Sequence, residues 1–342
     1  MVEINNLVRS NVLTLQPYSS ARSKFTGKDG TFLDANENPF GTLNRYPDPQ
    51  QSELKKKLAQ LKGVNTQNIF VGNGSDEVID LAFRIFCNPG KDKALTFSPT
   101  YGMYNVSAAI NNIELIEQPL NSAFQIDLPT LRPYFNDPSI KLMFICSPNN
   151  PTGNLIDRAA IDYILTNFKG IVIVDEAYID FATDESLISM IDQYNNLIVS
   201  QTFSKAWGLA AARLGTAYAD KEIINLYNKV KPPYNVSELN QKAANEALDK
   251  IKKYEENLAV ILSERKRVEK ALSNIKEVQK VYPSDANYIL IEVQNADQLY
   301  TDLVNQNIIT RNRNNQVKNC IRISIGTPEE NNILINAIKN IK

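Results

Sequence analysis

The most informative gap in this 342-residue sequence is histidine, which is absent altogether. Its absence removes the side chain most often used for acid–base work at neutral pH, every Ser-His or Cys-His dyad, and the commonest metal ligand. Any proton carrier must therefore be Lys, Tyr, Asp or Glu. The 3 cysteines, Cys87, Cys146 and Cys320, are odd in number and far apart in apolar contexts, so they exclude a disulfide framework and read as small buried hydrophobes. No apolar run approaches the ~18 residues of a membrane span, and the opening Met-Val-Glu-Ile-Asn-Asn lacks the basic and apolar regions of a secretory signal. A cytoplasmic protein with no membrane partner is expected. Charge of one sign is also missing: Lys+Arg 37 against Asp+Glu 38 leaves a formal net charge of -1 and no overall field to attract a polyanion. Nucleic acid is not an expected partner, and any bound phosphate must be met by a few placed groups.

What is present is ordinary for a folded chain, with 43% hydrophobic and 22% charged residues. At roughly 150 residues per domain, the length predicts about two domains with a core that needs neither disulfide nor metal. Short apolar runs rich in β-branched residues occur at 68–71, 94–97, 141–146, 171–174, 197–200 and 215–218, alternating with amphipathic stretches such as 77–86 and 157–168. Runs apolar at nearly every position are strands covered on both faces, so the pattern predicts an α/β fold with a mostly parallel central sheet flanked by helices. A long helical tract follows at 237–274, interrupted near 249–253, and its Glu264-Arg265-Lys266-Arg267 cluster reads as a solvated face. Strands at 286–293 and 320–325 with helices at 296–306 and 328–341 predict a smaller α+β unit. The expected organisation is an arm, 1–34, packing on the small unit, a large domain, 35–240, and a small domain, 241–342. The Asn-rich stretch 311–319 is expected to be an exposed loop of the small domain.

Most single motifs are weak. Val71-Gly72-Asn73-Gly74-Ser75-Asp76-Glu77 follows a strand and opens a helix, but Glu77 stands where a dinucleotide fingerprint needs its third small residue. A glycine turn with Ser75 as helix N-cap remains, which is either plain capping or an anion cradle of free backbone N–H groups. Gly90-Lys91 lacks the rest of a P-loop, and Ser52-Glu53-Leu54-Lys55 has the S-x-x-K spacing without its companion motifs.

The central segment differs, because polar groups recur where ligands bind in an open α/β sheet, beyond the carboxyl ends of its strands. They are Ser147-Pro148-Asn149-Asn150-Pro151-Thr152-Gly153, Asp175 with Tyr178 three residues on, Thr202-Phe203-Ser204-Lys205 before a small-residue stretch, and Arg213 before the run at 215–218. Each alone has a structural explanation. Jointly they match what pyridoxal phosphate requires: a lysine amine to hold it covalently, a carboxylate opposite its ring nitrogen, phenol and amide donors to its ring oxygen, and a helix N-terminus, hydroxyl and guanidinium for its phosphate. Lys205 in poorly hydrated surroundings also serves as the proton carrier that histidine cannot be.

With these residues the chain resembles the fold-type I pyridoxal-phosphate aminotransferases, and most closely the histidinol-phosphate aminotransferase family. The resemblance runs from Pro17-Tyr18-Ser19-Ser20-Ala21-Arg22 to Ile321-Arg322-Ile323-Ser324-Ile325-Gly326-Thr327, through Leu33-Asp34-Ala35-Asn36-Glu37-Asn38-Pro39, Asn44-Arg45-Tyr46-Pro47-Asp48, Pro99-Thr100-Tyr101-Gly102-Met103-Tyr104 and Asp175-Glu176-Ala177-Tyr178. It implies that Lys205 carries the cofactor, Asp175 pairs with the ring nitrogen, Tyr178 and Asn150 meet the ring oxygen, and Tyr101 stacks on the ring. It implies Gly74, Ser75, Asp76, Ser204 and Arg213 around the phosphate, with Tyr46 reaching the neighbouring subunit's phosphate in a homodimer. For substrate it implies Arg322 and Asn150, with Arg311 and Tyr18 helping to hold a substrate phosphate, although Arg313 adds a second charge near Arg311.

The reaction expected from the resemblance is transamination of histidinol phosphate with 2-oxoglutarate, giving imidazole acetol phosphate and glutamate in histidine biosynthesis. Three alternatives stay open: an aromatic amino-acid aminotransferase, a threonine-phosphate-type decarboxylase, and a nucleotide-binding or structural α/β protein.

Overall fold

The computed structural model of the chain describes residues 2–18 and 30–341. Residues 19–22, part of the stretch at 17–22, lie outside it. β1 (Ile69–Gly72), β2 (Lys93–Ser98), β3 (Glu114–Pro119), β4 (Ile140–Cys146), β5 (Ile171–Asp175), β6 (Leu197–Thr202) and β7 (Gly215–Ala219) form one sheet in the order β1-β7-β6-β5-β4-β2-β3. Only β7 runs against its neighbours, β1 and β6, and the other pairs are parallel. That reversal positions the site, because the residues preceding β7 emerge at the edge where β1 and β6 end.

The fully buried strands account for their near-continuous apolar sequence. Along β5, Val172 and Val174 join one core while Ile171 and Ile173 join the other, so each face of the sheet is covered. Helices α1 (Ser10–Thr14), α2 (Ser52–Lys62), α3 (Ser75–Phe86), α4 (Met103–Ile110), α5 (Leu128–Leu131), α6 (Arg158–Asn167), α7 (Lys221–Val230) and α8 (Glu238–Leu248) supply those covers. Val78, Ile79, Ala82, Phe83 and Phe86 of α3 pack at helical spacing on one face, and Ile161, Ile164 and Leu165 of α6 on the other. β3 was not expected: it is an edge strand carrying Glu114 and Glu117, half-exposed and without an apolar run.

The second unit is an antiparallel sheet in the order β10-β11-β9-β8, formed by β8 (Val278–Val281), β9 (Tyr288–Val293), β10 (Arg311–Asn312) and β11 (Cys320–Ser324). Helices α9 (Ile251–Leu272), α10 (Ala296–Asn305) and α11 (Pro328–Asn340) accompany it. Ile289, Ile291, Ile321 and Ile323 turn to a core shared with Val268, Leu299 and Leu334. The alternate residues face the large sheet, where the Tyr288 hydroxyl donates to the Asn149 carbonyl at 2.6 Å.

Four expectations are corrected. The N-terminal segment packs on the large unit: Ile4, Val8 and Val12 join the core around α3 and α7, and the Arg9 N–H donates to the Ile85 carbonyl at 3.0 Å. A short helix with an apolar stripe binds whichever apolar groove is near it, and sequence does not say which. Helix α8 likewise belongs with the large unit, through Ala244 and Leu248, so the chain leaves that unit at the break before α9. Within 264–267 the expected solvated face is half wrong, because Glu264 and Arg265 are buried. Arg265 donates to the Phe181 and Ala286 carbonyls at 3.1 and 2.8 Å, bridging the units where backbone acceptors meet. Finally, 311–319 is not all loop, since β10 pairs there with β11.

Candidate active site

The carboxyl ends of β4, β5 and β6, the N-terminus of α3 and the turn before β7 enclose a cavity of about 130 Å³. Every residue expected to hold the cofactor lines it except Gly74 and Tyr46, and Cys146, Ala177, Thr202 and Ala210 complete the wall. Asp175 is the last residue of β5 and 2% exposed. Its Oδ2 accepts from the Tyr104 hydroxyl at 2.9 Å and its Oδ1 from the Ala177 N–H at 3.1 Å. Burial pushes this carboxyl up to about 6, against the opposing pull of those two donors. Tyr104, fully buried and stacked on Phe144, was not assigned a role from sequence. Its signal was its place in the segment 99–104, but nothing local says that its hydroxyl reaches across two strands.

Lys205 lies just beyond β6, with Nζ 5.5 Å from the centre of the Tyr178 ring. Its amine is held below the usual lysine range, first by burial, then by the positive charge of Arg322 and, more weakly, of Arg213. Asp175 and Asp76 pull the other way. Burial raises the Tyr178 phenol, which therefore stays protonated, and Asn150 Nδ2 lies 3.5 Å from its oxygen.

The other end of the cavity is built for an anion. Gly74, and not the expected Ser75, is the N-cap of α3; its φ of 81° favours glycine, and among the described residues no side chain caps the helix. Its first N–H groups are left for a ligand, with the helix dipole favouring negative charge. A Cβ on Gly74 would lie 2.7 Å from Arg213 Nη2, and one on Gly215 would lie 2.2 Å from the Ser75 nitrogen. Arg213 Nη1 reaches Ser204 Oγ at 3.4 Å, and its Nη2 meets Asp76 Oδ2 at 3.2 Å. Asp76 also accepts from the Tyr101 hydroxyl at 3.1 Å, so this carboxylate orients the groups around the cradle. Thr202 Oγ1 accepts the Ser204 N–H at 3.1 Å, a turn that gives Thr202, singled out only as part of 202–205, its place in the site.

These features fit pyridoxal phosphate. A buried carboxylate that forms no salt bridge among the described residues suits a protonated ring nitrogen, an uncapped helix start with a guanidinium and a hydroxyl suits a phosphate, and a poorly solvated amine faces the space between them.

Beside Asn150, Arg322 of β11 donates through Nη1 to Asn150 Oδ1 and lies 5.1 Å from the Tyr288 ring centre. Its Nε is buried without a partner among the described residues. Three expected residues stand apart from the cavity in the single chain. Tyr46 is half-exposed and stacks on Tyr234 at 4.4 Å, Tyr18 is 75% exposed, and Arg311 is exposed at the start of β10. Arg313, by contrast, is partly buried.

Comparison with known proteins places this geometry in a family. The family model described as aminotransferase class I and II matches residues 24–338. A histidinol-phosphate aminotransferase of Parabacteroides distasonis is 50% identical over 345 residues, covering 100% of both chains. The crystal structure of the histidinol-phosphate aminotransferase from Clostridium acetobutylicum superposes with a TM-score of 0.80 at 26% identity, covering 87% of this chain and 90% of that one. The Sinorhizobium meliloti structure, a histidinol-phosphate aminotransferase in complex with pyridoxal-5'-phosphate, shares the fold with a TM-score of 0.78 at 23% identity, over 86% of this chain and 82% of that one. The chain thus belongs to the class I and II aminotransferases and, among them, to the histidinol-phosphate aminotransferase family.

Proposed function

We propose that this protein binds pyridoxal phosphate and exchanges the amino group of L-histidinol phosphate with 2-oxoglutarate, yielding imidazole acetol phosphate and L-glutamate for histidine biosynthesis. The observation that carries the reading is the cavity in which Asp175 and Lys205 face a shared space whose far end is an anion cradle. When bound, pyridoxal phosphate supplies an electron sink that allows an amino group to be exchanged for a keto oxygen.

The chain's own groups do the rest. Tyr104 and the Ala177 amide hold the oxygens of Asp175 in place, so that its carboxylate would serve the ring nitrogen of the bound cofactor. The N-terminus of α3, Ser204 and Arg213 hold the phosphate. Tyr178 and Asn150 orient the ring oxygen, and Tyr101 closes one side. Lys205 Nζ, with its proton affinity reduced by burial and by Arg322, is the base that removes the proton from the substrate Cα. Arg322 anchors the anionic end of either substrate, and Arg311 and Tyr18 assist with the phosphate. Tyr46, exposed here beside Tyr234, completes a neighbouring subunit's site in a cytoplasmic homodimer.

The test is a half-reaction: histidinol phosphate is added without keto acid to protein loaded with pyridoxal phosphate, and the visible absorbance of the bound cofactor is recorded. Its loss, with one imidazole acetol phosphate formed per site, is the expected result. An unchanged absorbance that still responds to glutamate would keep the aminotransferase and discard histidinol phosphate as its substrate.

A further inference from the structure

Three guanidinium groups share one face of the small sheet, and among the described residues no acid pairs with them. Arg311 is paired in register with Arg322, and the Arg313 N–H donates to the Cys320 carbonyl at 2.9 Å, two residues along β11 from Arg322. Directly opposed residues, and residues two apart on a strand, project from the same face. Ile321 and Ile323 project from the other, into the core of the small unit. Among the described residues no salt bridge reaches Arg311, Arg313 or Arg322.

Arg313 shares an unmet need with Arg322, whose side chain at least reaches Asn150. Unlike Arg311, Arg313 is partly buried, and its Nε is shielded from solvent with no hydrogen-bond partner among the described residues. Burial, then Arg322 and Arg311, push its guanidinium down to about 10, while Tyr178 and Tyr288 act in the opposite sense, so it lies close enough to feel the phenols that flank the cavity. A cation held among like charges with an unmade hydrogen bond is unfavourable in the free protein, and an anion brought beside it relieves both costs.

Resting on the reaction proposed above, we infer that Arg313 is a specificity residue, gripping the phosphate of a phosphate-monoester substrate together with Arg322 and Arg311. The anion chemistry explains why a third arginine favours that substrate. A carboxylate is planar, carries one charge and is satisfied by one guanidinium fork. A phosphate monoester carries nearly two charges and presents three acceptor oxygens in a tetrahedral spread, so it can engage more than one fork at once. Glutamate therefore needs Arg322 and leaves Arg313 unused.

The experiment compares holoenzyme of wild type with Arg313→Gln, Arg313→Lys and Arg311→Gln. Each is assayed with histidinol phosphate and with glutamate, and titrated calorimetrically with inorganic phosphate. Arg313→Gln is expected to lower kcat/KM for histidinol phosphate by roughly tenfold to a hundredfold, the worth of one charge-assisted contact. Glutamate kinetics stay near wild type, and the affinity for inorganic phosphate falls with that for histidinol phosphate. Arg313→Lys keeps a cation in place of the fork and recovers part of the loss, and it also supplies a folded comparison should the glutamine variant be unstable. Equal losses for glutamate and histidinol phosphate, or an unchanged phosphate affinity, would overturn the inference. If wild type turns over glutamate but ignores histidinol phosphate, the proposed reaction fails on its own, and the phosphate titration still decides the role of Arg313.

Discussion

Replacing Asp175 by asparagine should make the cofactor-free protein more stable at alkaline pH while destroying its activity. The wild-type carboxyl is raised from 3.8 to about 6 in the folded chain. The folded state therefore holds this proton more tightly than the unfolded state, and stability is lost as pH rises between the two values. Below 3.8 both states are protonated and the penalty vanishes; above 6 it is complete and constant. A shift of that size corresponds to about 3 kcal/mol at pH 8, and roughly half of it has developed by pH 5. The asparagine introduced by Asp175→Asn carries no charge but has one acceptor oxygen where the carboxylate has two, so either the Tyr104 hydroxyl or the Ala177 N–H loses its bond, at about 1 kcal/mol. That loss does not depend on pH, so the diagnostic quantity is the change in the stability difference, which should grow by roughly 1–2 kcal/mol in favour of the variant from pH 5 to pH 8. Urea unfolding of both cofactor-free proteins at equal protomer concentration measures it. With saturating pyridoxal phosphate the order should reverse, because only the wild type has a charge for the ring nitrogen. A difference that stays flat with pH, or moves toward the wild type as pH rises, would refute the view that burial of this carboxylate dominates its environment.

Other perturbations follow from the same geometry. Lys205→Ala should abolish transamination while leaving the urea midpoint close to wild type, and near-normal turnover would sink the functional assignment. Tyr104→Phe removes a donor from the buried Asp175 and should cost about 1–3 kcal/mol at pH 8 and less at pH 5, where the carboxyl is partly protonated. Gly215→Ala drives a Cβ to 2.3 Å from the Gly74 carbonyl carbon, so the start of α3 must shift. Cofactor affinity in that variant should fall, and unchanged affinity would show that the cradle is not where the phosphate binds. Arg322→Ala should raise KM for glutamate and for histidinol phosphate alike, whereas a change confined to one of them would make Arg322 a specificity group.

Sequence alone settled those parts of the protein whose physics is local. Strands buried on both faces must be apolar at nearly every position, so β4, β5 and β6 were marked to within two residues, and the polar residues at their ends stood out against them. Chemistry with a narrow set of requirements also shows in one dimension: an amine, a carboxylate, a phenol, a glycine turn and a guanidinium in order are enough to suggest one cofactor. Local rules fail at an edge strand such as β3, which has little to bury, and at Arg265, where a long charged side chain on a polar helix was read as solvated. Tertiary structure alone decided where these pieces meet. The antiparallel insertion of β7 between β1 and β6 puts Arg213 beside the start of α3, 137 positions away in sequence. Folding brings the Tyr104 hydroxyl onto Asp175, sends the N-terminal segment to the large unit, and sets the β10–β11 register that gathers three arginines on one face. The reason is the same in each case. Burial and strand pairing depend on which surfaces come together in space, and a sequence specifies its own periodicity far more directly than it specifies its neighbours.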